Sequence, residues 1–390
     1  MLIHTVNQGE TLYNIARRYS VPATKLLADN DLDGDRLTEG EQLLVLTPTR
    51  TVTVRGGESA ASIAKRFSVR EQTLFTNNPQ LALQGRLLPG QILTVKQAMP
   101  SVGVGSALGI YRKGCRREHL ARALPYITYL SVNAGRLTTG GITLAFAPEY
   151  AHREAVLAGK VPLLGIEDET DGAFLASKEG YTSVISRAIT LSSELGMKGV
   201  YISAKVASEK YPDAFCEFLM SARKQFIGCD LILFTEVFGN TPHDAAEISD
   251  GAVLIASDSG IDETARELSD FCTDAESGKV FVSLTGTASF FGERIDIKEA
   301  KELCYRSGGR ICTDEKSLIS EFEYKRYKIG LGEVTSVSFP SLSYTKAKLE
   351  RIAELGFIGI CVDIKSLCLS QLCMFNAMFK RADYSMPHDI

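Results

Sequence analysis

The chain opens with the same unit written twice, and a repeat of this kind obliges both copies to fold alike. His4-Thr5-Val6-Asn7-Gln8-Gly9-Glu10-Thr11-Leu12-Tyr13-Asn14-Ile15-Ala16 returns 48 residues later as Val52-Thr53-Val54-Arg55-Gly56-Gly57-Glu58-Ser59-Ala60-Ala61-Ser62-Ile63-Ala64. Leu26 then matches Leu74 and Asn30 matches Asn78, and after two inserted residues Leu37-Thr38-Glu39-Gly40 and Val45 match Leu87-Leu88-Pro89-Gly90 and Val95. Each copy predicts strand, helix, helix, strand. Thr5-Val6 and Thr53-Val54 start the strands, Gly9 and Gly57 make the turns, and Thr11 or Ser59 caps a helix whose apolar residues Leu12, Ile15, Ala16 and Tyr19 share one face. The second helix carries Leu26-Leu27 or Leu74-Phe75 and stops near Asn30 or Asn78, ahead of a glycine turn into the closing strand. Residues 1–48 and 49–97 are thus expected to form two small βααβ domains.

The phrase Gly-Glu-Thr-Leu-Tyr-x-Ile-Ala, followed by Ala-x-Asn and Leu-x-x-Gly-x-x-Leu, resembles the LysM module. That resemblance implies a groove for N-acetylglucosamine residues of peptidoglycan or chitin. Carried onto this chain, Gly9, Glu10, Thr11 and Leu12 would form one wall, and Asn30, Asp31 and Leu32 the other. In the second copy Gly57, Glu58, Ser59 and Asn78 take these places. There Leu12 becomes Ala60 and Tyr13 becomes Ala61, so less apolar surface is left for a sugar ring and weaker binding is expected. Either module could instead be a spacer. Two weak sites on one tether gain through effective concentration, which suits an anchor to a polymer.

Residues 98–106 read as a short Pro/Gly/Ser linker. Beyond it, apolar runs of strand length alternate with helical patterns, at Leu108–Tyr111, Tyr126–Val132, Val161–Ile166, Gly199–Ala204, Asp230–Val237, Gly251–Ala256, Val280–Leu284 and Phe357–Val362. Helices are expected at Thr182–Leu195, Pro212–Gln225 and Thr345–Leu355. Eight such alternations predict an α/β fold, a (β/α)₈ TIM barrel over residues 107–390 with a small α+β insertion at about 290–343.

Composition narrows the function classes. The 43 basic and 47 acidic residues, net −4, are spread without blocks, giving no stripe for nucleic acid and no polybasic membrane patch. Nine cysteines, at 115, 216, 229, 272, 304, 312, 361, 368 and 373, include no Cys-x-x-Cys pair and read as thiols of a protein folded in a reducing compartment. His4, His119, His152, His243 and His388 lie far apart, so neither a metal site nor a cofactor is expected. A folded-domain pattern begins within three residues of Met1, and no segment reaches the about 18 apolar residues of a spanning helix. Synthesis in the cytoplasm without a signal peptide is the expectation.

The order of strands, and the frame Gly196-Met197-Lys198-Gly199-Val200-Tyr201-Ile202-Ser203-Ala204-Lys205 at the fourth, resemble glycoside hydrolase family 18, in particular its spore-cortex-associated members with tandem N-terminal LysM modules. Relatives of that type carry Gly-Tyr-Asp-Gly-Val-Asn-Ile-Asp-Phe-Glu. The family's chemistry, as the resemblance implies it, uses the substrate's acetamido group as nucleophile, with the Glu as proton donor and the neighbouring Asp orienting the acetamido group. Here Lys198, Tyr201, Ser203 and Lys205 occupy the motif positions. An ammonium, with an ordinary pKa of about 10.4, is a poor acid and repels developing oxocarbenium charge, and lost acid catalysis alone costs roughly 10²–10⁴ in rate. The sixth-strand tyrosine falls at Ser257, the seventh-strand aromatics fall in Leu284-Thr285-Gly286-Thr287-Ala288-Ser289, the eighth-strand platform falls at Asp363, and the chain has no tryptophan.

Glu167, Asp168, Glu236, Asp258 and Asp363 all fall near C-terminal strand ends, where barrel sites are built. Three readings stay open. Glu236 and Asp258 could act as a replacement carboxylate pair; Lys205 could enter the mouth and form a structural ion network with Glu167, Glu236, Asp258 or Asp363; or the mouth could hold a non-sugar ligand, with Phe290 and Phe291 as lining. The leading expectation is a cell-wall glycan-binding protein with an inactive barrel, deposited on a spore and associated with other coat proteins. An active N-acetylglucosaminidase of cortex peptidoglycan is the rival.

Overall fold

The computed structural model describes residues 1–84, 86–98, 101–238, 244–274, 277–328 and 331–381. Expected features at 99–100 in the linker, at His243 and His388, and at the C-terminal end of the 107–390 span lie outside them.

Each repeat folds as a βααβ unit. In the first, Leu2–Thr5 pairs antiparallel with Gln42–Val45, and the helices Leu12–Arg18 and Ala23–Asp29 pack Leu12, Ile15 and Leu26 against Val6, Leu43 and Val45. Gly9 turns the chain at φ +77°, a left-handed conformation that glycine adopts without a Cβ clash, and Thr11 then accepts the Asn14 N–H at 3.3 Å to start the helix. The second unit pairs Pro48–Thr53 with Ile92–Gln97, and the Ser59 and Ser62 side chains cap one another's backbone at the start of Ala60–Phe67.

The eight expected barrel strands are all present: β1 (Gly103–Tyr111), β2 (Tyr129–Thr138), β3 (Val161–Asp168), β4 (Gly199–Ser203), β5 (Ile232–Phe238), β6 (Gly251–Ile255), β7 (Val280–Leu284) and β8 (Gly359–Asp363). Each pairs in parallel with the next, and β8 closes on β1 with Ile360 opposite Ala107. Alternate residues fill the barrel, among them Leu108, Ile110, Tyr201, Phe234 and Phe281, while their neighbours pack outward under the helices. The helix Lys178–Leu195 shows why these segments are helical: Ser177 accepts the Gly180 N–H at 3.0 Å, buried Val184, Ile185, Ala188 and Leu191 share a face, and Gly196 ends it at φ +68°.

Two features lie beyond the sequence reading. β2 runs on into a hairpin with Gly141–Leu144, and a last strand, Phe379–Arg381, pairs in parallel with the start of β1. The insertion starts earlier than expected. Its antiparallel sheet begins at Thr287, and the strands follow the order Glu293–Asp296, Thr287–Phe290, Leu331–Pro340, Ile319–Lys328, Cys312–Thr313. The helix Ile297–Arg306 covers one face through Ile297, Ala300 and Cys304, which pack on Phe322, Val337 and Phe339. Phe290 belongs to this packing, with its ring 4.9 Å from Phe291 and 5.7 Å from Tyr324, so the pair does not line the mouth.

The repeats do not hang on a tether. Lys25, buried in the first, bonds Asp29 at 2.9 Å and the Asn77 carbonyl of the second at 3.0 Å. Tyr126 donates to the Thr76 carbonyl at 3.0 Å, joining the second unit to the barrel. Gly40 of the first lies so close to the insertion that an added Cβ would stand 1.8 Å from the Ile311 carbonyl oxygen, and Ile311 donates its N–H to Glu39 at 2.9 Å. Lys301–Glu41 at 3.0 Å and Lys298–Asp33 at 3.1 Å reinforce the same seam.

Candidate functional site

β4 delivers Tyr201 into the barrel and Ser203 to its rim, and a short helix, Lys205–Lys210, starts at once. That helix turns Lys205 away from the mouth. Its side chain is 59% exposed, with Nζ 3.9 Å from Glu209 and 5.1 Å from the Phe238 ring centre, so the expected ion network through Lys205 is not formed. Lys198 is exposed at the opposite end of the strand, immediately before Gly199.

Arg112, one residue past the end of β1, stands between two of the mouth acids. Its Nε reaches Asp363 at 3.0 Å and its Nη1 bonds Glu167. Burial opposes the Arg112 charge, yet Asp363 and Glu167 outweigh it and raise the guanidinium pKa. Arg136 holds the second Glu167 oxygen at 3.1 Å, and Asn133 donates to the first at 3.1 Å. Asp168 folds back onto its own loop, accepting from the Thr170 and Gly172 N–H groups at 2.8 and 2.9 Å.

Glu236, on β5, is buried at the floor and accepts the Tyr201 hydroxyl at 2.6 Å and the Ser203 hydroxyl at 2.7 Å. Burial raises its pKa, the two hydroxyl bonds and Arg112 pull it back, Glu167 adds to it, and the net direction is upward. Tyr201, pushed well above the ordinary phenol range by its own burial and by Glu236, stays a neutral donor. Asp258, beyond β6, is held by Lys348 at 3.1 Å and the Tyr344 hydroxyl at 3.2 Å. Lys348 is completely buried, and without Asp258 its charge would be stranded.

These groups surround a cavity of about 540 Å³ between the strand ends and the insertion sheet. It brings together Glu236, Asp258, Asp363, Tyr201 and Ser257 from the sequence reading, and adds Arg112 and Arg294. Glu167, Ser203 and Lys205 do not reach its surface. Among the described residues no cluster of three His, Cys, Asp or Glu could hold a metal, and all nine cysteines are free.

In the modules, much of the expected groove chemistry is spent on folding. Asn30 donates to the Leu26 and Leu44 carbonyls at 2.8 Å each and accepts the Leu44 N–H at 2.6 Å, which consumes three of its four hydrogen-bonding positions. Asn78 makes the same bonds to Leu74 and Thr94, all at 2.8 Å. Both side chains are thus tied to the fold, although Asn30, with Asp31 and Leu32, still borders a cavity shared with the barrel and the insertion. Leu12 is buried in the module core. Glu10 is engaged by the Asn7 N–H, His4 and Arg18, at 2.9, 2.8 and 2.7 Å, and the Asn7 N–H above all holds its pKa down to about 2. Glu58 likewise accepts the Arg55 N–H at 2.8 Å and pairs with Arg66 at 2.7 Å. Asp31 faces the barrel and pairs with Arg122 and, at 3.5 Å, Lys298, while Leu32 packs on the module core. Gly9, Thr11 and the 67%-exposed ring of Tyr13 remain open at the first module, and Gly57 and the cap Ser59 hold the matching place in the second.

Arg112 and Lys348 carry the site and were missed by the sequence reading. Arg112 directly follows a predicted strand, at the end where barrel sites form, and that placement was the available signal. Lys348 had none, because it reaches the mouth from a helix.

Residues 4–45 and 52–96 match the LysM domain. The Bacillus subtilis (strain 168) protein YdhD, provisionally named a sporulation-specific glycosylase, is 26% identical over 237 residues. That match spans 57% of this chain and 55% of YdhD, little more than half the length of that relative. The spore cortex-lytic enzyme SleL of Bacillus megaterium QM B1551 superposes with a TM-score of 0.76 over 98% of this chain and 99% of its own, at 17% identity. A chitinase from Chromobacterium violaceum ATCC 12472 gives a TM-score of 0.63 over 70% of this chain and 99% of its own, at 12% identity. Residues 4–45 and 52–96 therefore carry LysM domains, and the rest of the chain has an eight-stranded barrel with the fold seen in SleL and the chitinase.

Proposed function

We propose that this protein binds N-acetylglucosamine-containing cell-wall glycan through its modules, and that its barrel does not hydrolyse that glycan by the acetamido-assisted route. The observation supporting this reading lies just past β4: Lys205, which the family resemblance puts at the proton donor's position, is exposed and turned to Glu209. Ser203, in place of the acetamido-orienting acid, is a donor to Glu236. The LysM matches and the likeness to spore cortex-lytic enzymes support a wall ligand and a spore setting. On this reading the protein is made in the cytoplasm, is deposited on the spore beside other coat proteins, and needs no cofactor.

One observation favours a second reading. Glu236 is a buried carboxyl on the wall of the cavity whose pKa burial shifts upward, the direction a general acid needs, and Asp258 lies on the same cavity. This would make the protein an N-acetylglucosaminidase of cortex peptidoglycan with replacement acids. Incubation with insoluble peptidoglycan and with chromogenic N-acetylglucosamine oligomers separates the two. Retention without turnover supports the first reading. Turnover abolished by Glu236→Gln or Asp258→Asn supports the second.

A further inference from the structure

At the end of the barrel away from the mouth, two cations and a hydroxyl meet around one turn of chain, and among the described residues no acid pairs with them. Lys160 stands immediately before β3 and is 8% exposed. Its ammonium has neither a hydrogen bond nor an ion-pair partner among the described residues. Thr128, immediately before β2, is equally buried, and its hydroxyl oxygen is enclosed without a partner. Arg381, at the end of the last strand, is half-buried.

The register brings the three together. Tyr129 and Val161 lie side by side at the starts of β2 and β3 and both fill the barrel interior, so Thr128 and Lys160, one residue earlier, turn outward on the same side. The Val161 N–H donates to the Thr128 carbonyl at 3.0 Å, which fixes that alignment. Arg381 donates to the Pro125 carbonyl at 2.9 Å and to the Ile127 carbonyl, so its guanidinium sits on the turn that leads into Thr128. Gln72 of the second module donates to the same Pro125 carbonyl, and Arg70 precedes the helix Glu71–Asn77 of that module. Burial first and Arg381 second push Lys160 down to about 7, while burial first and Arg70 second push Arg381 down to about 10.

A buried ammonium without a counter-charge and a buried hydroxyl without a partner both cost stability, and one acceptor group would relieve both. Two cations call for two negative charges, and charge-assisted bonds to such a group are the strong ones. We propose that Lys160, Arg381 and Thr128 form a binding site for a small divalent oxyanion of the sulfate or phosphate type, with the ammonium and the guanidinium on its charged oxygens and the hydroxyl on a third. The half-exposed edge of Arg381 gives such a solute its way in. Bound there, the anion would tie β2 and β3 to the last strand at the junction with the second module. The site is separate from the mouth and from the glycan-binding reading.

Calorimetric titration of the full chain with sodium sulfate and with inorganic phosphate, against sodium acetate at matched ionic strength, tests this. Both dianions are expected to bind saturably and about tenfold more tightly than acetate, with a loss of about tenfold in Lys160→Met and about threefold in Thr128→Val. Lys160→Met puts an apolar chain where an unpaired cation was, so without anion it should melt no lower than the unaltered protein. Sulfate should then raise the melting temperature of the unaltered protein and leave that of Lys160→Met where it was. No saturable binding, an affinity unchanged in Lys160→Met, or an equal rise in melting temperature in both proteins would overturn the proposal. Should Lys160→Met fold poorly, Thr128→Val decides, and an unchanged affinity there sinks the site.

Discussion

The two LysM modules share an interior and differ on the surface and at the seam. Asn30 and Asn78 make the same three hydrogen bonds, tying the second helix to the closing strand in each. Outside that frame the copies part. Lys25 and Asp29, a buried ion pair in the first, stand where the second has Thr73 and Asn77, and the exposed Tyr13 stands where the second has Ala61. The repeat thus encodes a way of folding twice over, and only the first copy presents an aromatic ring beside its turn.

The largest effect should come from breaking the buried pair. Lys25→Met strands Asp29, whose pKa burial already raises, and should cost about 3–5 kcal/mol in urea denaturation. Installing the second module's residues together, Lys25→Thr with Asp29→Asn, should recover most of that loss. If the double variant is as unstable as the single one, the pair is not what distinguishes the modules.

Next, Asn30→Ala and Asn78→Ala should each cost about 3 kcal/mol, since each orphans a buried backbone N–H and two carbonyls. The two losses should agree within about 1 kcal/mol, and a large inequality would mean that the frames are not equivalent. A smaller effect concerns ligand. Tyr13→Ala should weaken retention on peptidoglycan about fivefold without altering stability, and Ala61→Tyr should strengthen it, as aromatic contacts of about 1 kcal/mol imply. Identical retention in all three proteins would remove the ring from the binding account.

The subtlest test is acid titration. Glu10, held down to about 2, contributes stability that is fully present above the ordinary carboxylate value of 4.5 and is lost as pH falls towards 2. Replacement by Gln should flatten that part of the curve, as read by thermal melting between pH 5 and pH 2.

Much of the fold was legible because its signals are periodic. The repeat marks the modules, and the alternation of apolar runs with helices such as Pro212–Ile227 gives all eight barrel strands. The site was legible only in part. Glu236 and Asp258 stand at strand ends and meet at one cavity, but their partners Arg112, Tyr344 and Lys348 come from elements far away in sequence, and no local pattern signals such a pairing. Asn30 shows a different limit: a position repeated in both modules reads equally well as a ligand contact or as a fold contact, and the structure adds three bonds of the second kind. Lys205 reads as a mouth residue until the helix that begins there swings it outward.

Gly40 carries a consequence for the whole molecule. Its backbone seats against that of Ile311 with no space for even a methyl group, and Lys25 clasps one module to the other. The N-terminal pair and the barrel consequently form a jig with one set angle between its ends. A polysaccharide strand gripped at Tyr13 would arrive over the barrel on a single bearing, so the distance between successive holds would be dictated by protein shape and not by the slack of a leash.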